Sequence, residues 1–184
     1  KDLQNALTQN KWFAGLFKDA IETGLLLCTD YDQQKQFTLY KQYDRKDACR
    51  LLNWPRDVSA PMYGYRVGDH DTPIFITYRK DDQEKRNALY HNTLENGRSL
   101  RWYTRMPRHL DSEEVQRLLK TSDMHIHVFV KRSDADGKQF FYLGEAQIQP
   151  NSVKEELLGP KKKPAVGMNL LLKEPLKTSM SELL

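Results

Sequence analysis

Cysteine is scarce in this sequence: Cys28 and Cys49 are the only two among 184 residues. That is too few for a disulfide framework or a thiolate zinc site, and it points to a reducing, cytoplasmic setting. Glycine is sparse as well, at nine residues. No GxxxxGK[ST] phosphate loop and no GxSxG nucleophile elbow can be spelled, which excludes the commonest nucleotide-hydrolase and serine-hydrolase signatures. No apolar run approaches the ~20 residues needed to cross a bilayer. No signal-peptide pattern opens the chain, and no internal repeat is present, so no membrane partner is expected. The chain opens on Lys1 rather than Met, so a module from a longer polypeptide is expected. A large charge of one sign is also missing. Lys and Arg number 29 against 25 Asp and Glu, a net +4, so where the charge lies matters more than its size.

Apolar periodicity supplies the elements. Leu3, Leu7, Phe13, Leu16, Phe17, Ala20 and Ile21 recur at three- and four-residue spacing, which predicts a helix over residues 2–23 with Gly24 as its stop. Its apolar stripe, enlarged by Trp12, must dock on something. Asp44 is a good N-cap, with Asp47 as a short capping-box partner. The helix that follows carries Ala48, Leu51 and Leu52 inward and runs as far as Pro55. Strands are predicted at 62–67, 73–79, 100–105, 125–132, 139–147 and 168–173, with a short helix at 111–120. Residues 81–86 read as a solvated loop or first helical turn. Residues 133–138 (SDADGK) close a hairpin, while 151–166 read as an exposed linker or loop. The sum is an α+β fold: a mainly antiparallel β-barrel or strongly curved sheet with flanking helices. A helical connector over 1–36 precedes a barrel-like domain over 37–184.

The densest chemistry lies between Arg98 and His109, where Arg98, Arg101, Arg105 and Arg108 occur with no acid among them. On a strand, Arg101, Tyr103 and Arg105 share one face and Leu100, Trp102 and Thr104 the other. Guanidinium forks for phosphates and a ring for base stacking then sit over a Trp-anchored core. The plain alternative is a strand edge kept soluble by charge. His125 and His127 share a strand face and, with Asp123, make the weak case for a metal-dependent nuclease. Two ligands do not make a zinc site. Asp32 with Asp44 and Lys46, or Asp123 with Asp136 and Lys138, spell the nuclease pattern PD-(D/E)xK, but Asp44 is a cap and Asp136-Gly137 a turn. The Asp69-His70-Asp71 turn reads as solvated, and Cys28, beside Leu25–Leu27, as a buried thiol.

Several blocks in order, residues 43–54 (YDRKDACRLLNW), Tyr63 to Arg66, residues 73–78 (PIFITY), Trp102 in its basic strand, Asp111-Ser112 with Val115, residues 127–130 (HVFV) and 141–145 (FYLGE), resemble the uncharacterised C-terminal domain of bacterial superfamily 2 helicases. That family often carries a phospholipase-D-type nuclease and a restriction or phage-defence setting. The likeness covers residues 37–176 and brings no catalytic residues with it. It implies a non-catalytic DNA-binding, target-recognition module whose partners are DNA and the parent helicase and nuclease domains. A weaker architectural likeness to PUA- and SRA-type barrels implies a reader of modified or flipped bases. On this view Arg98, Arg101, Arg105 and Arg108 contact phosphates. Tyr103, Tyr63 and Tyr65 line a stacking surface, Arg66, Tyr78 and Arg79 extend it, and Lys131 and Arg132 guide the backbone. No cofactor or metal is expected. The alternative is a protein-interaction module, or a homodimer, docking through the stripe from Trp12 to Ile21 and exposed strand edges.

Overall fold

The computed structural model describes residues 2–60, 62, 64–77, 94–95 and 97–183. The expectations for Tyr63, Tyr78, Arg79 and residues 81–86 lie outside the described residues. The chain divides into two compact units, Lys1–Thr38 and Leu39–Leu184. Among the described residues no helix is long and apolar enough to cross a membrane.

The first unit holds α1 (Asp2–Gln9) and α2 (Lys11–Cys28). The single predicted helix is broken at Asn10, whose extended backbone and side-chain oxygen, accepting the Phe13 N–H at 3.0 Å, make it an N-cap. Gly24 does not stop α2, because the strong helix formers Leu25 to Leu27 carry it on to Cys28. Neither helix contains a buried residue. Cys28 is exposed, contrary to the sequence expectation, and Cys49 is the buried thiol.

The second unit is built on β1 (Gln42–Tyr43), α3 (Arg45–Leu51), β2 (Asp71–Thr77), β3 (Leu94–Glu95), β4 (Ser99–Tyr103), α4 (Glu113–Lys120), β5 (His125–Lys131), β6 (Phe140–Ile148), β7 (Lys154–Leu158), β8 (Lys163–Leu172) and α5 (Thr178–Leu183). The strands make one curled mixed sheet in the order β2-β5-β6-β8-β4-β3, with β1 added to β6 and β7 to β8. All these pairings are antiparallel except β2 with β5, which run parallel from Asp71↔His125 to Thr77↔Lys131. This is the α+β, strongly curved, mainly antiparallel sheet with flanking helices that the sequence predicts.

Strand β5 is buried on both faces, which explains its unbroken apolar reading. Ile126, Val128 and Val130 join Leu100, Trp102, Val115, Leu118, Met168 and Leu170 in the main core. Phe129, on the opposite face, stacks on Phe75 at 4.7 Å and meets Tyr142 at 5.0 Å between ring centres. Asp44 accepts the Asp47 N–H at 2.7 Å while Asp47 accepts the Asp44 N–H at 3.1 Å, the reciprocal cap that the sequence spells. The helix it starts ends earlier than Pro55, with Asn53 in the left-handed region at φ 53°.

Two expectations change. Among the described residues of 62–67 there is only an isolated bridge, Tyr65 to Ile74, where Gly64 at φ +87° turns its carbonyl to accept the Phe75 N–H at 2.6 Å. Residues 151–166 are not a linker. They contain β7 and the start of β8, joined by a turn at Gly159 to Lys162. Strand β7 escapes hydropathy reading because it is an edge strand with no buried residue.

Opposite Tyr103 on β4 stands Gly167 on β8. A Cβ there would run into the Arg101 guanidinium and the Tyr103 ring, so only glycine lets those two side chains lie flat across the sheet. Gly167→Ala is expected to lower stability by about 1–3 kcal/mol through this overpacking. Urea unfolding checks it, and an unchanged midpoint would show that both side chains move aside freely.

Candidate nucleic-acid interface

The basic stretch 98–109 does not form one patch. Alternation along β4 holds, with Leu100, Trp102 and Thr104 at 2%, 4% and 1% exposure, but the arginines part company. Arg98 donates through Nε to the Leu172 carbonyl at 3.1 Å. Arg101 lies flat on the sheet, donating to Glu156 Oε1 on β7 at 2.6 Å, to the Ser152 carbonyl at 3.0 Å and to Asn169 Oδ1 at 3.2 Å. Its guanidinium is 5.0 Å from the Tyr103 ring centre, and the Tyr103 hydroxyl donates to Glu156 Oε2 at 3.2 Å. Arg101 and Tyr103 thus form one polar strip, closed by a carboxylate that the linker expectation did not supply.

Arg105 and Arg108 belong to a different place. Past the end of β4 both turn to the start of α4, where Arg105 Nη2 at 2.7 Å and Arg108 Nε at 2.9 Å donate to one oxygen of Glu114. Arg66, Val67, Ser112, Glu113 and Arg117 complete a cleft of about 380 Å³. Four guanidinium groups line it with two carboxylates, and Asp69 pairs with Arg117 at 3.9 Å from outside the lining, which leaves a surplus of one positive charge. Arg117 is held by Glu113 at 2.9 Å, and Arg66 is exposed at the rim. The Ser112 hydroxyl makes no cap bond to α4. It accepts the His109 N–H at 2.9 Å instead, so the positive end of the helix dipole adds to the field of the cleft.

Beneath the Arg105 guanidinium, behind the residues that line the cleft, lies Tyr65. Its ring meets Trp102 edge-on at 4.9 Å and lies under the Arg105 guanidinium at 5.1 Å. At 2% exposure it is a core residue and unavailable for stacking on a base, a correction to its expected role. Burial first, and the nearby Glu114 carboxylate second, push its hydroxyl pKa well up. Burial works to raise the Glu114 pKa, but the bonds from Arg105 and Arg108, with the Tyr65 hydroxyl close by, outweigh it and hold that carboxyl below its ordinary value. Lys131 also departs from its expected role. Buried at 7% exposure, it donates to the Gly137 carbonyl and pairs with Asp134 at 2.8 and 2.7 Å, pinning the hairpin turn, while Arg132 beside it is exposed. Arg117, unremarked in the sequence, joins the cleft because α4 brings its last turn to the same side. Its acidic first turn, Glu113-Glu114, was the available signal.

The histidines settle into polar pairs. His125 and His127 do share a face, with ring centres 6.3 Å apart. His127 is bound at Nε2 to Asp71 Oδ1 at 2.8 Å and at Nδ1 to the Tyr142 hydroxyl at 3.3 Å. His125 pairs with Glu145 at 3.0 Å, and Asp123 pairs with His70 at 2.7 Å instead of joining them. Among the described residues no group of three or more His, Cys, Asp or Glu side chains is placed to hold a metal ion.

The sequence family that matches residues 37–184 is described as a domain of unknown function (DUF3427). No curated protein matches the chain in sequence. Among solved structures, Arabidopsis thaliana SUVH6 in complex with SAM is similar at TM-score 0.50 and 14% identity, over 78% of this chain and 27% of that one. This chain therefore spans about a quarter of the SUVH6 chain, and the likeness is one of fold. The SUVH5 SRA domain in complex with hemi-methylated CG DNA is similar at TM-score 0.49 and 14% identity, over 76% of this chain and 91% of that one. The same SRA domain bound to fully hydroxymethylated CG DNA is similar at 0.48 and 13%, with the same coverage.

Burial is the leading cause that lowers the His127 pKa, with Asp71 opposing it. A histidine with a lowered native pKa contributes stability that is complete above its unfolded value near 6.5 and is lost as pH falls toward the native value. Chemical denaturation is therefore expected to show lower stability at about pH 5.5 than at about pH 7.5, with a flatter profile in His127→Gln. Equal profiles in the two proteins would remove His127 as the cause.

Proposed function

The chain belongs to this family, and we propose that it is a non-catalytic DNA-binding, target-recognition module. The observation that carries the reading is the convergence of Arg66, Arg105, Arg108 and Arg117 on one open cleft. Guanidinium forks match phosphate oxygens, and phosphate contacts fix a protein's register on a duplex. Arg101 and Tyr103, with Asn169 beside them, form a second polar strip suited to a strand running across the sheet, and Arg98 and Arg132 add exposed positive charge. The finer role, reading modified or flipped bases for a helicase-nuclease in restriction or phage defence, follows from the family resemblance of the sequence blocks.

The test is binding of the chain to labelled single-stranded, plain duplex, methylated and hydroxymethylated CG duplex DNA at two salt concentrations. Arg105→Ala with Arg108→Ala is expected to weaken binding on all of them. It should also flatten the log–log salt dependence by about 0.9 per lost phosphate contact. Unchanged affinity and slope would overturn the assignment.

A second reading, a protein-interaction or dimerisation module, is favoured by α2. Trp12, Leu16, Leu25, Leu26 and Leu27 stand 77%, 55%, 64%, 71% and 59% exposed, more apolar surface than a solvated helix carries. Sedimentation across a range of concentrations should reveal association that Trp12→Glu abolishes, and a strictly monomeric chain would remove self-association.

A further inference from the structure

Three buried polar atoms without a hydrogen-bond partner lie at the arginine cleft or just behind its lining: Arg105 Nε, Glu114 Oε1 and the Tyr65 hydroxyl. Among the described residues the only other such atom is Arg45 Nε. Buried polar groups in folded proteins are nearly always paired, so three orphans around one ion pair are unexpected. The pair itself is lopsided. Glu114 Oε2 takes both Arg105 Nη2 and Arg108 Nε, while Oε1 makes no bond in a side chain only 19% exposed. The Tyr65 hydroxyl lies close to the Glu114 carboxylate and interacts with it, yet neither that hydroxyl nor Oε1 reaches hydrogen-bond geometry. One carboxylate thus fits its site poorly: it leaves Arg105 Nε and the Tyr65 hydroxyl unmatched and its own Oε1 unused, with Arg66 exposed beside it.

We propose that the cleft is a phosphate site in which Glu114 is the resident stand-in. An incoming phosphate group displaces the carboxylate from the Arg105–Arg108 fork, and its additional oxygens take the donors that Glu114 leaves unmatched. A tetrahedral anion offers several acceptor oxygens where a carboxylate offers two, and the surplus of positive charge in the cleft favours the exchange. Glu114, on the first turn of α4, swings outward toward solvent past Glu113. The natural ligand, a nucleic-acid phosphodiester rather than a free phosphate, rests on the DNA reading above, but the site itself does not.

The experiment compares wild type with Glu114→Gln using a short plain duplex and, separately, inorganic phosphate. The variant is expected to bind the duplex about fivefold more tightly, because a like charge leaves the site. Its salt slope should steepen by about one unit. Inorganic phosphate should shift the Arg105 Nε–H NMR resonance at lower concentration in the variant than in wild type. Equal or weaker duplex binding by a folded variant, with no earlier Arg105 shift, would make Glu114 a structural strut and overturn the proposal, leaving the DNA reading intact if wild type binds. A phosphate-induced Arg105 shift with no duplex binding would keep the site, assign it to a free phosphate and sink the DNA reading. Neither effect would overturn both. Should the variant fail to fold, the Glu114 carboxylate of wild type can be titrated by carbon NMR. Saturating phosphate should raise its pKa toward the ordinary value as its arginines are taken, and an unmoved pKa refutes the exchange.

Discussion

Tyr65 meeting Trp102 edge-on at 4.9 Å is the contact on which the rest of the second unit turns. Trp102 sits on the inner face of β4 and brings that strand into the main core. Tyr65 closes the core over it and carries the Arg105 guanidinium on its other side. Arg105 is fixed in turn to Glu114 at 2.7 Å. One residue further along α4, Val115 goes back into the same core, followed by Leu118. A short circuit of four contacts therefore both seals the hydrophobic interior and aims the Arg105 guanidinium into the cleft. Aromatic pairs of this geometry contribute about 0.5–1.5 kcal/mol beyond their buried area. The larger effect is positional, because the cleft inherits the rigidity of the core beneath it.

Much of the fold was legible because its elements obey single periodicities. The reciprocal Asp44–Asp47 cap, the β5–β6 hairpin across Asp134 to Gly137 and the inward row Leu100, Trp102, Thr104 follow directly from residue type and spacing. Illegible elements lack a periodic signal for a physical reason. Strand β7 pairs only with β8 and buries no side chain, so nothing selects apolar residues along it. The parallel pairing of β2 with β5 is set by tertiary packing of Phe75 on Phe129, which no local pattern encodes. Helix α2 runs through Gly24 because a glycine in an exposed helix costs only about 1 kcal/mol, which three consecutive leucines offset.

The candidate site was half legible for a related reason. A cluster of arginines is visible in sequence, but the partners that divide them are not. Arg101 finds Glu156 from the strand hidden in the expected linker, and Arg105 and Arg108 find Glu114 from a helix that reads simply as amphipathic. Tyr65 illustrates the converse. Its neighbourhood of Tyr63 and Arg66 suggests a surface strand, yet that segment makes a single bridge and drops its ring into the core.

The presence of carboxylates in the arginine cleft is itself a physical necessity. Four guanidiniums around about 380 Å³ repel one another, by roughly 1–4 kcal/mol per close pair depending on how far water screens them. Guanidiniums stay charged at any physiological pH, so the fold cannot relieve the strain by losing a proton. An acidic first turn on α4 offsets the repulsion and also suits the helix dipole, which allows the arginines to be preorganised before any ligand arrives. Under the proposal, an incoming phosphate group must then compete with the same charges that hold the cleft together. On the proposed reading, an arginine-rich surface built in this way gives up part of its affinity for a stable free state. Its salt dependence consequently reports how many ion pairs are exchanged, rather than how many arginines the sequence contains.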